Sequence, residues 1–521
     1  MTEPSDPPEP HIRPVPDLVL GIAARHPDVV ALSWPGEELT YRELVSRASS
    51  VAAALPAGRP VAVRMSSGPR QVVACLAVLM ARARLVCLGA GDIGERGRAV
   101  LTDIRPTVVV VDGEQPEDGL LRWYREELAG HILDVTSLPA GAVPAAPGSA
   151  AGWAYVTYTS GSTGRPKGIP QTHATLAQFV TWFAAEFGIG PGARVAQWAA
   201  PGYDAGLVEA FSALVAGGTV CPVPDRLRAN PEKLADWLVA ERVTHFQTVP
   251  SFARQLAGVM RRAPALGHLL LAGEPLPGEL VERLRDVVPG VRLVNLYGPT
   301  ESILATWHEV GGPQDGTVPI GRAIPGRRVV VLDEHDRPCP PGVTGQIVIE
   351  SPYVTPGYVG TAGDDPAFRP IRGADPGGTR CYRTGDRGRL RADGTLEFGG
   401  REDFQVKFNG VRMELTDIEA ALAADASVTE CAVVPVADAQ GLVARLVAYV
   451  VPAEADGTPA TWRAALRRRF GKATPPVTFR TLDRLPRTVG GKVDRRGLPG
   501  PEAGRHETHV NNAAANALIM G

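Results

Sequence analysis

Residues 108–112 read VVVVD, four β-branched side chains in succession with no polar residue between them. A strand with one wet face alternates apolar and polar residues, so an uninterrupted run suits a strand covered on both faces, as in a parallel sheet. Parallel strands need long crossovers, usually helical, and the surrounding sequence supplies them. Helix-like segments at 41–54 (YRELVSRASSVAAA) and 231–241 (PEKLADWLVAE) interleave with short β-branched runs, VAVRM at 61–65 and RVVVLD at 328–333. The pattern predicts a layered α/β fold. From 317 to 400 the helical period fades and turn signals multiply (PGRR, DEHDRP, PPGVTG, RADGT), which predicts a β-rich part. Beyond 401 a small α+β unit is expected, with helices at 414–424 and 461–470 and strands in ECAVVPV and LVAYVV. The expected organisation is a proline-rich leader (1–15), a large N-terminal α/β core of several subdomains (16–402), a small mobile C-terminal α+β domain (403–498) and a polar tail (499–521).

Charge narrows the function. Lys+Arg 54 against Asp+Glu 56 leaves a net charge of -2 in 521 residues, with no long block of either sign. A nucleic-acid or anionic-membrane footprint is therefore not expected. Six scattered cysteines form no CxxC pair, which fits neither a disulfide framework nor a zinc ribbon. The acidic, proline-rich N-terminus has no apolar core for secretion, and no run reaches 18 apolar residues, so a cytoplasmic location is expected. Of the 54 basic residues only five are lysine (167, 233, 407, 472 and 492), so each lysine invites a reason.

One of them closes the strongest local signal, YVTYTSGSTGRPKG at 155–168. Thr159, Ser160, Gly161, Ser162, Thr163 and Gly164 are small, so backbone N–H groups and hydroxyls can surround phosphate oxygens, and Lys167 adds a point charge. The loop is not a Walker A motif, because Pro166 stands where that motif needs glycine. Further strings follow in fixed order: GYDAGLVEAF at 202–211, NLYGPTES at 295–302, YRTGDRGRL at 382–390, GREDFQVKFNGVRMELTDIE at 400–419 and LPRTVGGKVDR at 485–495. With these strings the chain resembles, over roughly residues 20–498, the superfamily of acyl-CoA synthetases, nonribosomal-peptide adenylation domains and firefly-type luciferases. Within it the resemblance is closest to the adenylation enzymes.

The resemblance implies ATP-dependent activation of a carboxylate as an acyl-AMP, with Mg²⁺. Bringing a carboxylate onto the α-phosphate opposes two anions, and an amino acid's carboxyl is already ionised at neutral pH, so positioning and electrostatics must supply the catalysis rather than a general base. By resemblance, Tyr297 stacks on adenine, Asn295 bonds its edge, Gly273 lines the nucleotide site, Thr300 meets phosphate and Glu301 holds Mg²⁺. Asp386 takes the ribose hydroxyls with Arg401 nearby. Lys492 is the catalytic lysine bridging carboxylate and α-phosphate, and Lys407 lies in the hinge-side string. Asp403 is the hinge of a swinging C-terminal domain that presents Gly410 at the tip of a second face for thioester formation. One departure is Gly490-Gly491 before the lysine, where the family commonly has Asn-Gly.

Substrate choice rests on Asp204. In amino-acid-activating members an aspartate at this position pairs with the ammonium group, which aryl and fatty acids lack. The remaining pocket positions carried over are Ala205, Val208, Gln247, Leu270, Ala272, Leu296, Leu304 and Ala305, small and apolar with one amide. Leu270, Ala272, Leu296 and a one-residue shortening between Glu301 and Thr306 resemble free-standing enzymes that load proline onto a separate carrier protein. Ala205, Val208 and Gln247 leave more room than proline needs, so a substituted proline, another neutral amino acid or a β-amino acid stays open. After residue 498 there is no LGGDS-type carrier motif. Loading of a discrete phosphopantetheinylated carrier in natural-product biosynthesis is therefore expected. The competing readings are a carboxylic acid:CoA ligase and a nucleotide-binding sensor.

Overall fold

The computed structural model describes residues 12–500 apart from 90–93, 114–117, 139–151, 160–165, 261–262, 264, 361–364, 373–378, 402–404, 409–410, 439–441, 454–456, 472–473 and 488–492. Two compact units emerge, one drawn mainly from the first 403 residues and one mainly from residue 404 onward. The first helix, Val15–Arg25, starts inside the stretch expected as a leader, because Val15 and Val19 are already buried.

In the first unit two sheets run between layers of helix. A six-stranded sheet has the order His131–Asp134, Val108–Val111, Pro60–Met65, Arg84–Gly89, Trp153–Thr159 and Lys167–Thr172, parallel except for the last strand. The expectation from VVVVD is met: all four valines are buried, with parallel neighbours on both sides. Period-2 alternation splits them, as it must in a strand. Val108 and Val110 join the central core, while Val109 and Val111 pack on the outer face against Leu120, Leu121 and Tyr124 of the helix Gly119–Glu127.

The nine-stranded sheet is parallel through Val30–Trp34, Thr219–Pro222, Arg194–Gln197, His245–Thr248, His268–Ala272 and Arg292–Tyr297, with antiparallel strands at both edges. Leu270, Val294 and Leu296 face the central core, and Leu269, Leu271 and Leu293 face an outer core built with the helices Pro231–Ala240, Pro250–Val259 and Gly278–Val287. Between the two sheets lie five helices, Val15–Arg25, Tyr41–Ala53, Pro69–Met80, His173–Glu186 and Asp204–Leu214, whose buried side chains unite both inner faces into one core. The helix Tyr41–Ala53 shows how local sequence sets a boundary. Thr40 accepts from the Glu43 backbone N–H while the Glu43 carboxylate accepts from the Thr40 N–H at 2.8 Å, a reciprocal capping box.

The β-rich part expected between 317 and 400 is an antiparallel sheet of Arg328–Leu332, Gly345–Ser351, Arg380–Leu390 and Leu396–Arg401. In the second unit the strands Val428–Ala437 and Val443–Pro452 form a hairpin. The helix Pro459–Phe470 then returns the chain to Val477–Thr481, parallel to the second of them. The buried Trp462 donates its indole N–H to Ser427 Oγ at 3.0 Å, so this core carries a satisfied polar group at its centre. All six cysteines are free. No helix among the described residues is long and apolar enough to cross a membrane.

Candidate active site

Asp386 and Arg401 are direct partners on adjacent antiparallel strands, which brings two residues from separate sequence motifs side by side. The Arg401 guanidinium bonds Asp386 Oδ1 and reaches the Thr384 carbonyl at 3.2 Å. From the nine-stranded sheet, Tyr297 donates its hydroxyl to Asp386 Oδ2 at 2.5 Å. Burial, and then the Asp386 charge, pushes the Tyr297 phenol far above its ordinary range, so it remains a proton donor. A carboxylate offers about four lone-pair directions. Asp386 therefore keeps acceptor capacity for a diol while two protein donors fix its orientation. Asn295 is buried on the same strand as Tyr297, with its amide nitrogen donating to the Pro319 carbonyl at 2.9 Å.

The strands on either side of the phosphate-loop string are paired with each other. Trp153–Thr159 and Lys167–Thr172 pair antiparallel with Thr159 opposite Lys167, while Ser160, Gly161, Ser162, Thr163 and Gly164 lie outside the described residues. Lys167 Nζ sits 4.8 Å from the centre of the Tyr358 ring and 3.9 Å from the Asp365 carboxylate. Tyr358 in turn donates to Glu301 Oε1 at 2.9 Å. One chain of contacts thus connects the lysine of the loop to the buried glutamate of NLYGPTES. Gly168 is required here by close approach: a Cβ would stand 2.7 Å from Val359 Cγ2 and 2.9 Å from the Tyr158 ring.

The segment 299–305 is held by its carbonyls. Thr300 O accepts from Gln171 Nε2 at 2.8 Å, Glu301 O from the Thr355 N–H at 2.7 Å, and Ser302 O from Arg327 Nε and a terminal nitrogen at 3.3 and 3.1 Å. Ile303 has φ 63° and ψ -47°, a conformation that costs a β-branched residue roughly 1–3 kcal/mol and persists only where its surroundings impose it. At Gly298 a Cβ would meet the backbone N of Ala305 at 2.4 Å, so the segment folds back tightly on the end of its own strand.

Most of the residues expected to line the acid pocket converge on the central core. Gln247 pairs in register with Leu270, and Ala272 with Leu296, placing neighbouring rungs on the inner face of the nine-stranded sheet. Val208, Leu270, Leu296 and Leu304 belong to the same apolar cluster, against which Ala272 packs, and Ala305 is fully buried. Asp204 begins the helix Asp204–Leu214, and Val208 follows it one turn later on the same side. Asp204 is half-buried, accepting from the Ala205 N–H at 3.0 Å, because a helix N-terminus accommodates a carboxylate without removing it from water. Asp204 also helps to raise the Tyr155 phenol, second to burial. Gln247 Oε1 and Tyr155 Oη are buried with no hydrogen-bond partner among the described residues. Gly273, at φ 90°, follows Ala272 at the end of its strand.

Lys492, Asp403 and Gly410 lie outside the described residues, as does the side chain of Lys407. The flanks of the lysine loop are described: Arg487 and Val493 form a bridge, and Asp494 N–H donates to the Pro486 carbonyl at 2.8 Å. No group of three or more metal-capable His, Cys, Asp or Glu side chains occurs among the described residues. Sequence reasoning missed Tyr358, Arg327, Gln171 and Thr355. Tyr358 ends the string ESPYVTPGY at 350–358, and nothing local marks its bond to a glutamate 57 residues earlier.

A two-sheet α/β core, a carboxylate held by a tyrosine and an arginine across two sheets, and a lysine hairpin joined to a buried glutamate together define an adenylate-forming enzyme, one that activates an acid with ATP. The comparisons give its family. The AMP-binding enzyme family matches residues 21–359 and the AMP-binding enzyme C-terminal domain matches 417–492, and the chain belongs to that family, on its nonribosomal-peptide-synthetase side. It is 38% identical to phosphinothricin tripeptide synthetase PhsB of Streptomyces viridochromogenes over 96% of this chain and 43% of that protein. It is 36% identical to novobiocin biosynthesis protein H of Streptomyces niveus over 91% of this chain and 80% of that protein. The chain spans less than half the length of PhsB and of the AMB antimetabolite synthetase AmbB of Pseudomonas aeruginosa, which it also matches. The structure of holo-PA1221, a nonribosomal peptide synthetase protein with adenylation and PCP domains, aligns with a TM-score of 0.78 at 26% identity, covering 93% of this chain and 84% of that one.

Proposed function

We propose that the chain activates a neutral amino acid as its aminoacyl-AMP and passes the acyl group to the phosphopantetheine thiol of a discrete carrier protein. In the first step a carboxylate oxygen of the amino acid attacks the α-phosphorus of ATP, a new P–O bond forms, and the bond to the β-phosphate breaks as pyrophosphate leaves. In the second, the carrier thiol displaces AMP from the acyl carbon, forming a thioester and releasing a proton. Asp386, with Arg401 behind it, receives the ribose hydroxyls; the Tyr297 ring stacks on adenine, Asn295 meets its edge and Gly273 lies beside it. Thr159, Ser160, Gly161, Ser162, Thr163, Gly164, Lys167 and Thr300 surround the phosphates.

A single buried carboxylate with a neutral tyrosine donor fits Mg²⁺ shared with nucleotide phosphates, since that ion keeps several waters and needs only one or two protein carboxylates. Glu301 would hold it, and the ion would neutralise charge on the departing pyrophosphate. Lys492 places its ammonium between the substrate carboxylate and the α-phosphate, offsetting their repulsion. Swinging of residues 403–498 about Asp403 exchanges this lysine for the thioester-forming face that carries Gly410.

The observation that carries the amino-acid reading is Asp204 heading a helix whose next turn, Val208, enters the same apolar cluster as Leu270, Leu296 and Leu304. A carboxylate at the mouth of an apolar pocket selects a ligand with a cationic nitrogen next to an uncharged body. Proline or an enlarged proline fits the short apolar lining, with Ala205, Ala272 and Ala305 leaving room and Gln247 available to a polar substituent. ATP–pyrophosphate exchange across a panel of proline, substituted prolines, other neutral α-amino acids, β-amino acids and aryl acids tests the reading. Exchange with amino acids only is expected. Exchange confined to acids without an amine, or acyl transfer to free CoA in preference to a carrier, would replace it with a carboxylic acid:CoA ligase.

A further inference from the structure

Arg327 is 6% exposed, yet no carboxylate pairs with it among the described residues. Its guanidinium instead donates to Gln178 Oε1 at 2.9 Å and, through two nitrogens, to the Ser302 carbonyl, and it stands 5.4 and 5.7 Å from the ring centres of Phe179 and Tyr353. Burying a cation without a counter-ion is unfavourable unless its hydrogen bonds do something a neutral side chain could not. The Ser302 carbonyl belongs to the peptide that enters Ile303, the residue held at φ 63°. Rotation of that peptide would relieve Ile303, and the fork from Arg327 opposes the rotation. Glu301 lies immediately before this peptide, and Leu304 and Ala305 lie immediately after it.

We propose that Arg327 is a positioning residue: by gripping the Ser302 carbonyl it locks the strained Ile303 turn and so fixes the Glu301 carboxylate relative to the pocket wall at Leu304 and Ala305. The proposal rests on the reading that Glu301 serves the nucleotide phosphates and Leu304 and Ala305 the acid. The contacts from Gln171 and Thr355 are neutral single bonds to the Thr300 and Glu301 carbonyls. The Ser302–Ile303 peptide is itself held at its N–H, which donates to the Thr300 carbonyl at 3.2 Å, and at its carbonyl by the charged fork of Arg327.

The test compares Arg327→Met, Arg327→Gln and Arg327→Lys with the unaltered protein, using whichever acid supports the fastest ATP–pyrophosphate exchange. Choosing the acid this way separates the two ideas: exchange with a non-amino acid defeats the amino-acid reading and still allows Arg327 to be tested. Arg327→Met is expected to lower kcat for exchange 10- to 100-fold, as an ångström-scale misplacement does. The affinity for a fluorescent ATP analogue, set by Tyr297 and Asp386, should stay within twofold. Hydrogen–deuterium exchange should quicken in the peptide spanning 299–306, and Arg327→Lys should recover most of both effects. Full activity in Arg327→Met overturns the proposal. So does equal loss in Arg327→Lys and Arg327→Met with unaltered exchange across 299–306, which marks Arg327 as general packing. If Arg327→Met does not fold, the Arg327→Gln and Arg327→Lys pair is read by the same criteria.

Discussion

Glu209→Gln should stabilise the protein at neutral and alkaline pH and do almost nothing at pH 4.5. Glu209 is 2% exposed on the helix that Asp204 begins. Its Oε2 accepts from the Ala199 N–H at 2.9 Å, and its Oε1 has no hydrogen-bond partner among the described residues. Burial pushes its carboxyl up to about 8 from an ordinary 4.5, against the opposing pull of the Ala199 N–H and the Arg228 charge. An acid whose pKa is raised by folding contributes fully below the unfolded value and loses that contribution as pH climbs toward the folded one. At about 1.4 kcal/mol per pH unit, the rise from 4.5 to 7 removes about 3 kcal/mol. Glutamine does not titrate and can still accept from Ala199, so it avoids that loss. Calorimetric melting of both proteins from pH 4.5 to 8 should give coincident curves at the acid end. By pH 7–8 the variant should melt on the order of 3 °C higher, the scaling expected for a chain of this size. A gap that stays constant with pH, or that widens toward acid, would refute the argument that Glu209 must discharge to stay buried.

Three further outcomes are expected. Asp204→Ala should lower kcat/KM for the preferred amino acid at least 100-fold in ATP–pyrophosphate exchange with nucleotide affinity unchanged, the loss of a charge-assisted bond; unaltered amino-acid selectivity would remove Asp204 from the ammonium site. Lys492→Ala should abolish most exchange while equilibrium titration finds ATP binding within a few-fold of normal, and an active variant would show that another cation bridges the anions. Tyr297→Phe keeps the ring but leaves the buried Asp386 short of one donor, so nucleotide dissociation constants should rise about tenfold; a wild-type constant would separate Tyr297 from nucleotide binding.

Periodicity made the layered core legible, because a strand such as VVVVD and a capped helix such as Tyr41–Ala53 are specified by residues a few positions apart. The motif strings located Asp386 and Arg401, and the register of their strands then explains why the two stand side by side. What could not be read was the contact between motifs. Tyr297 meets Asp386 across 89 residues and two different sheets, and Arg327 meets Gln178 across 149. Neither pairing leaves a local trace, since tyrosine, arginine and glutamine are ordinary surface residues wherever they stand alone. The surroundings of Asp204 were hidden for a related reason: they depend on where its helix starts, and there the orphan N–H groups temper the cost of its charge.

The rungs formed by Gln247 with Leu270 and by Ala272 with Leu296 have a consequence for how such a chain can change over time. Neighbouring strands stay about 4.8 Å apart and keep their ladder whichever side chain stands on them. On the proposed reading each rung can be exchanged one residue at a time, altering the shape offered to the incoming acid without disturbing the backbone that also carries Tyr297. Selectivity would then drift by point substitution while the strands that carry the nucleotide-side residues are inherited unchanged.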